Sequence, residues 1–191
     1  MRNVLTITTA LFGLLALQAT AHAQAALRKS EFQLTPRAGV GDLRIDRFIP
    51  VRSDEPRKDT HGLGIGFGFL TPVGIVVEAG GDYFGNDNLF GLDDNLSLRQ
   101  EFISVGYQFE LGDGWRIVPR VGRAHWKVRS DDDQLFDDNN PAIIRRGNDY
   151  FWEATVGRQI SRKVTLGLNA KQGNYDFGRT RSAAFVVTIG F

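Results

Sequence analysis

The sequence AAFVVTIGF at residues 183–191 decides the fold of this chain. Apolar residues at every second position, counted back from Phe191 to Ala183, form one face, and the other face is small or mildly polar. A repeat of two residues indicates a β-strand rather than a helix. Because no turn follows this strand, we expect it to pair directly with the strand that closes the fold.

The opposite end of the chain has the features of a secretory signal peptide. Its first residues carry a positive charge, residues 4–17 form an apolar core, and AHA at 21–23 fits a cleavage site. The apolar run is shorter than the roughly 20 residues that a membrane-spanning helix needs. We therefore expect residues 1–23 to be removed and residues 24–191 to form one domain.

The composition excludes several classes of protein. There are 23 Lys and Arg against 22 Asp and Glu, and this balance gives no support to a nucleic-acid partner. The absence of cysteine excludes a scaffold held by disulfides. After the leader no apolar run approaches the length of a membrane helix, so a membrane location would require a β-barrel.

The remaining chain divides into candidate strands with one apolar face each. The clearest is 62–70, where four apolar residues alternate with four glycines. In the first strand the apolar row changes phase near Asp42, which predicts a bulge at Gly41. The eight predicted strands are about 32–47, 62–70, 75–83, 98–111, 115–129, 150–160, 164–171 and 183–191.

The connections between these strands alternate in length. Short turns on one side and longer polar loops on the other are typical of a transmembrane barrel with an even number of strands. The short connections are 71–74, 112–114 and 161–163. The long ones are roughly 48–61, 85–97, 130–149 and 174–181.

The distribution of charge distinguishes this barrel from a soluble one such as a lipocalin. Charged residues share strand faces with Gly, Ser and Thr, whereas the opposite faces are apolar and have aromatic residues near the strand ends. An apolar band with aromatic girdles is typical of a lipid-facing surface. The sequence therefore predicts an all-β fold, an eight-stranded antiparallel up-and-down transmembrane β-barrel.

The strand plan, the leader and Phe191 resemble the transmembrane domain of the OmpA family and its smaller OmpX/Ail relatives. Residues 117–126, Ile-x-x-Arg-x-Gly-x-x-x-Trp, are similar to a middle strand of that family. The resemblance implies a location in the cell outer membrane, in contact with outer-membrane lipid. No peptidoglycan-binding domain follows the barrel, so cell-wall anchoring is not expected.

The terminal strand also resembles the C-terminal assembly signal of outer-membrane barrels. This resemblance implies that the barrel assembly machinery and periplasmic chaperones act as partners during biogenesis. The residues that would form the signal are Phe185, Val187, Ile189 and Phe191.

Charged side chains on the polar faces are expected to enter the barrel interior, where an unpaired charge is costly. We predict an interior salt-bridge network of Arg37, Glu78, Glu110, Arg120, Glu153 and Lys171. The preferred interpretation is a plugged barrel that acts in envelope integrity or surface interaction through its extracellular loops. The alternative is a narrow ion-conducting pore, because the network of OmpA-type barrels is discussed as a gate.

The outer loops carry basic and acidic groups. Arginine suits phosphate recognition, so lipopolysaccharide contacts are predicted at Arg145, Arg146, Arg179 and Arg181, with ordinary surface charge as the alternative. The acidic run 131–140 could hold a divalent cation, but it lacks the spacing of a Ca²⁺ loop. We therefore expect no metal and no cofactor, and the loop composition does not identify an extracellular ligand.

A lipid A-modifying enzyme is the third interpretation. It would need a nucleophile, a histidine base and an orienting carboxylate. After the leader the histidines are His61 and His125, and His125 precedes Ser130 and Asp131. A separation of five residues across a strand end makes a poor nucleophile–base pair, so we expect a protein that is not an enzyme.

Overall fold

The computed structural model describes residues 29–45, 57–85, 96–130 and 143–191. Within these ranges there is no helix that is long and apolar enough to span a membrane. The predicted leader and the acidic run 131–140 lie outside these ranges. The strands are β1 (Glu31–Ile45), β2 (Arg57–Leu70), β3 (Ile75–Gly85), β4 (Leu96–Tyr107), β5 (Phe109–Gly112), β6 (Trp115–Ser130), β7 (Ile143–Gln159), β8 (Val164–Tyr175) and β9 (Gly178–Gly190).

These strands form one closed antiparallel barrel. Strands that are adjacent in sequence pair with each other, except that β4 and β5 both pair with β6, and β9 pairs with β1 from Gln33 opposite Gly190 outward. β4 and β5 are two parts of one barrel strand, because both pair with β6 and only Gln108 separates them. The eight-stranded barrel closed by its terminal strand is therefore confirmed, and closure removes the exposed sheet edges.

Three tight turns define what we call the inner end of the barrel. They lie at 71–74, 113–114 and 160–163, on the same side as Phe191. In the middle turn Gly112 and Gly114 have φ angles of 91° and 77°, which a glycine adopts without a steric penalty. The opposite end is called the outer end.

At the outer end the strands run further than the sequence predicted. Residues 57–61 and 143–149, which were predicted to be loop, belong to β2 and β7. The long loop predicted at 174–181 is wrong, because two turn residues, 176 and 177, join β8 to β9. These strand ends carry polar residues on their outward faces, so no apolar alternation reveals them.

The bulge predicted at Gly41 is also wrong. β1 keeps one register with β2 and with β9 past this position. The apolar row changes phase because Leu43 faces inward and is buried at the outer end of the interior.

The outward side chains around the middle of the barrel are apolar and exposed. Phe67, Val121 and Leu168 each keep 60% or more of their surface exposed, at 62%, 60% and 66%. An apolar belt of this kind is a surface for lipid rather than for water. At the inner end the rings of Phe32 and Phe69 lie 5.1 Å apart between centroids, as expected for an aromatic girdle.

The interior has three layers. Near the inner end is a small apolar cluster of Leu70, Val76 and Val118. The middle layer is polar. At the outer end lies what we call the apolar plug, which consists of Leu43, Leu96, Leu98, Phe102, Ala124, Trp126, Val128, Phe151, Tyr175 and Phe177, with Phe84 packed against it.

Candidate functional site

Four charged side chains meet in the polar layer. Arg37 on β1 is paired with Glu78 on β3, and its Nη1 donates to Glu153 Oε2 at 3.4 Å. Arg120 on β6 donates through Nη1 to Glu153 Oε1 at 3.2 Å, and its Nη2 lies 3.6 Å from Glu78 Oε2. All four side chains are buried. Each cation therefore contacts both carboxylates, which connects four strands across the barrel.

A second buried ion pair lies nearer the outer end. Lys171 Nζ donates to Asp82 Oδ2 at 2.7 Å and to Gln100 Oε1 at 2.9 Å. The same ammonium lies 4.7 Å and 4.2 Å from the ring centroids of Phe102 and Phe151. Aromatic faces attract a cation, so the plug stabilises the lysine that it covers.

The two groups are continuous, because Arg37 Nε lies 3.8 Å from Asp82 Oδ1. We call the combined set the central network; it consists of Arg37, Arg120 and Lys171 with Glu78, Asp82 and Glu153. Three cations face three carboxylates, so the formal charge of the network is balanced. Balance matters because removal of one member would leave an uncompensated charge in a buried site.

The predicted residue Glu110 lies elsewhere. It is half-buried on β5, opposite Arg116, and accepts a hydrogen bond from Gln108 Nε2 at 2.9 Å. Along the same barrel strand it is four residues from Gly106, the partner of Arg120, which is roughly 13 Å. The expectation that Glu110 joins the network is therefore corrected.

Asp82 is a member of the central network that the sequence did not predict. It follows Glu78 by four residues on the same face of β3, and the alternation along the strand already indicates that it points inward. The sequence does not show that Lys171, 89 residues away, would reach it.

Glycines provide the space for the network. A Cβ atom placed on Gly66 would lie 2.5 Å from Glu78 Oε1 and 2.9 Å from Arg37 Nη2. A Cβ on Gly68, the next inward position of β2, would meet nothing nearer than 3.4 Å. A Cβ on Gly64 would likewise meet Asp82 Oδ1 and the Arg37 side chain, so the space reserved for the charges includes the levels of Gly64 and Gly66 and ends before Gly68.

The apolar plug is fixed by stacking and by one carboxylate. The ring of Phe177 lies 4.7 Å from that of Trp126 and 5.3 Å from that of Tyr175. Asp149 Oδ2 accepts hydrogen bonds from Trp126 Nε1 at 2.8 Å and from the Asp176 amide at 3.1 Å. This carboxylate connects the β8–β9 turn to β6 and β7. The plug was not predicted from the sequence, although Trp126 shares the inward face of Arg120.

The arginines predicted to contact lipopolysaccharide lie at the outer end of the barrel. Arg145 and Arg146 on β7 and Arg179 and Arg181 on β9 are all exposed at the outer end. The terminal strand turns its predicted assembly residues outward. Phe185 and Phe191 are exposed, and Val187 and Ile189 are half-exposed.

The two histidines face outward from different walls of the barrel. His125 on β6 is exposed, and its Nδ1 lies 3.2 Å from Asn148 Oδ1. His61 is exposed on β2. The Ser130 side chain and Asp131 lie outside the described part of the chain. Within that part, no three His, Asp or Glu side chains are grouped as metal ligands.

Comparison with known proteins identifies the fold. No protein-family model matches the chain, and no curated protein matches it in sequence. The solved structure of Neisserial surface protein A is similar, with a TM-score of 0.61 and 10% identity over 86% of this chain and 100% of that one. Ail, the attachment invasion locus protein of Yersinia pestis, gives a TM-score of 0.56 and 9% identity over 85% and 97%.

A second structure of Ail, in complex with the heparin analogue sucrose octasulfate, gives a TM-score of 0.55 and 10% identity over 86% of this chain and 100% of that chain. At such identities the likeness concerns the fold alone. The prediction of a small eight-stranded barrel of the outer-membrane type is confirmed at that level.

Proposed function

We propose that this protein is a closed outer-membrane barrel that acts in envelope integrity or surface interaction through its outer end, without conducting ions and without catalysis. The observation that carries the proposal is the central network, balanced in charge and covered by apolar layers on both sides. An ion crossing this interior would have to separate buried ion pairs and enter the apolar plug, and both steps are costly.

The second candidate is a narrow pore, and one observation favours it. Several buried polar atoms of the network have no hydrogen-bond partner within the described residues: Arg37 Nε, Glu78 Oε2, Asp82 Oδ1 and Arg120 Nε. Such atoms bind water where space allows, and a hydrated network would be the starting point of a conducting path.

Conductance in planar lipid bilayers distinguishes the two candidates. For the closed barrel we expect no current steps from the wild-type protein. A Glu78→Ala/Trp126→Ala double variant, which opens both the network and the plug, is expected to conduct. The control is Leu168→Ala, which changes only the lipid-facing wall. Wild-type steps whose size changes in Glu78→Ala, but not in Leu168→Ala, would establish the pore and overturn the proposal.

The surface role follows from the basic residues of the outer end. Ail is a protein of attachment and invasion by its name, and it was solved with a sulfated sugar analogue. For this chain we propose contacts with anionic groups of lipopolysaccharide through Arg145, Arg146, Arg179 and Arg181. Cells that lack the protein are expected to admit more of a hydrophobic dye, and re-expression should restore the barrier. Unchanged dye uptake would contradict a role in envelope integrity.

The absence of catalysis has its own test. Mass spectrometry of lipid A from cells with and without the protein is expected to give identical acyl and phosphate patterns. A change that disappears in a His125→Ala variant would revive the enzyme interpretation.

Biogenesis through the barrel assembly machinery belongs to the same proposal, because the terminal strand presents its apolar row outward at the seam with β1.

A further inference from the structure

Three cations stand side by side on the outer wall of the barrel. Arg99 on β4 is in register with Lys127 on β6, which is in register with Arg146 on β7. All three point outward by the alternation of their strands. Like charges directly opposite one another in a sheet destabilise it. We call these residues the cationic row, and its repulsion calls for an anion that the described chain does not supply.

The local counter-charge is small. Glu101 is the one carboxylate on the outward faces of the described parts of β4, β6 and β7. It lies 3.1 Å from Arg99 with both side chains more than 60% exposed, so the pair contributes little. Lys127 and Arg146 form no ion pair with any other residue that the structure describes.

The opposite wall is arranged differently. There Arg181 on β9 is in register with Asp42 on β1, and Asp42 is in register with Asp59 on β2. At that level of the opposite wall a cation therefore lies opposite a carboxylate, not opposite other cations. Among the residues that the structure describes, the uncompensated charge is a property of the wall formed by β4, β6 and β7.

An apolar groove lies on the same wall, directly inward of the cationic row. It has a volume of about 600 Å³ and opens toward the lipid. Arg123 lines the groove and is in register with Ile103 and Tyr150. Its apolar lining is formed mainly by Val77, Ile103, Val105, Val121, Tyr150 and Trp152.

We propose that this wall binds one molecule of lipid A, the phosphorylated and multiply acylated anchor of lipopolysaccharide. One phosphate lies on the cationic row, the second lies near Arg123, and an acyl chain fills the wall groove. This site rests on the proposed outer-membrane location, and lipid A is the lipid that the wall formed by β4, β6 and β7 binds.

The spacing of the charges favours lipid A over a phospholipid. Arg123 precedes Lys127 by four residues, roughly 13 Å along the strand. A disaccharide with a phosphate at each end presents two anionic groups to these two levels, whereas a phospholipid presents one. The groove and the row also lie toward the outer end, away from the termini, and therefore face the leaflet that contains lipopolysaccharide.

Native mass spectrometry of the full protein in detergent tests the proposal. The lipids are diphosphoryl lipid A, monophosphoryl lipid A and phosphatidylglycerol. We expect a 1:1 complex with diphosphoryl lipid A, weaker binding of the monophosphoryl form and still weaker binding of phosphatidylglycerol. Removing two of the phosphate contacts in Lys127→Gln/Arg146→Gln should weaken the complex about tenfold.

The matched control removes two exposed cations from the turn 160–163 at the inner end. Arg162→Gln/Lys163→Gln is expected to bind diphosphoryl lipid A like the wild type. Filling the groove with Val121→Trp should weaken the complex, and Leu168→Trp, on another part of the belt, should not. Heat-modifiable gel mobility confirms that each variant is folded.

Three outcomes would overturn the inference: equal losses in the two double variants, binding of phosphatidylglycerol as strong as that of diphosphoryl lipid A, or an unchanged complex in Lys127→Gln/Arg146→Gln. Each of them leaves the closed barrel intact, because the conductance experiment depends on the interior alone. Current steps with normal lipid A binding would reject the proposed function and keep the lipid site.

Discussion

Replacing Gly66 with alanine places a methyl group inside the central network. The new Cβ would lie 2.5 Å from Glu78 Oε1, 2.6 Å from Glu78 Cδ and 2.9 Å from Arg37 Nη2. Normal contacts between such atoms exceed 3.4 Å. The Glu78 carboxylate must therefore move by about 1 Å, and it cannot move without loosening its pairs with Arg37 and Arg120.

The cost can be worked out from these contacts. Forcing an extra methyl group into a packed interior costs about 1–3 kcal/mol. Loosening one buried charge-assisted hydrogen bond costs about 1.5–3 kcal/mol more. The lower chain entropy of unfolded alanine returns about 0.4–1 kcal/mol. We expect Gly66→Ala to lower the free energy of unfolding by about 3 kcal/mol.

Gly68→Ala is the matched control. It lies on the same strand and the same inward face, but its Cβ would have its nearest neighbour, Val77 O, at 3.4 Å. We expect it to be neutral or to stabilise by up to about 1 kcal/mol. Urea unfolding of both variants in lipid vesicles, followed by tryptophan fluorescence, measures the difference. If the two variants differ by less than about 1 kcal/mol, the reasoning from the space at Gly66 is refuted.

Three further changes test other parts of the barrel. Lys171→Met leaves Asp82 buried without its ammonium partner and should lower the free energy of unfolding in urea by about 3–5 kcal/mol. Most of this loss should be recovered in Lys171→Met/Asp82→Asn, and no recovery would contradict the pairing. Trp126→Ala removes a central ring of the plug and should cost about 3–5 kcal/mol in the same titration, whereas a loss below 1 kcal/mol would mean that the plug is loosely packed. Phe191→Ala should refold normally in detergent while its folded amount in the outer membrane of cells falls several-fold; equal amounts would argue against an assembly role.

The direction in which each strand side chain points could be predicted from the sequence. Alternation gave the inward face of Arg37, Glu78 and Lys171 and the outward face of Phe185, because strand geometry fixes both. It was less informative about height in the barrel. Whether Glu110 or Asp82 meets the other charges depends on the stagger between strands, which long-range pairing sets.

The apolar plug was missed for a different reason. A rule that inward faces are polar holds for the middle layer only, and the interior of the outer end is filled by Leu43, Trp126 and Phe177. Leu43 is an apolar residue on the inward face of β1, so the apolar row of β1 changes phase at this point of the sequence. The loop predicted at 174–181 was wrong for a related reason. The outward residues there are polar, so the ends of β8 and β9 lack the apolar row that indicates a strand.

The β8–β9 turn has a consequence for how this protein can vary. Phe177 occupies a turn between two strands, the kind of position that usually tolerates sequence changes and insertions. Here the side chain is buried in the barrel and holds Trp126 and Tyr175. A change at this turn is therefore expected to lower the stability of the barrel, which makes the β8–β9 hairpin a poor site for the insertion of a foreign peptide.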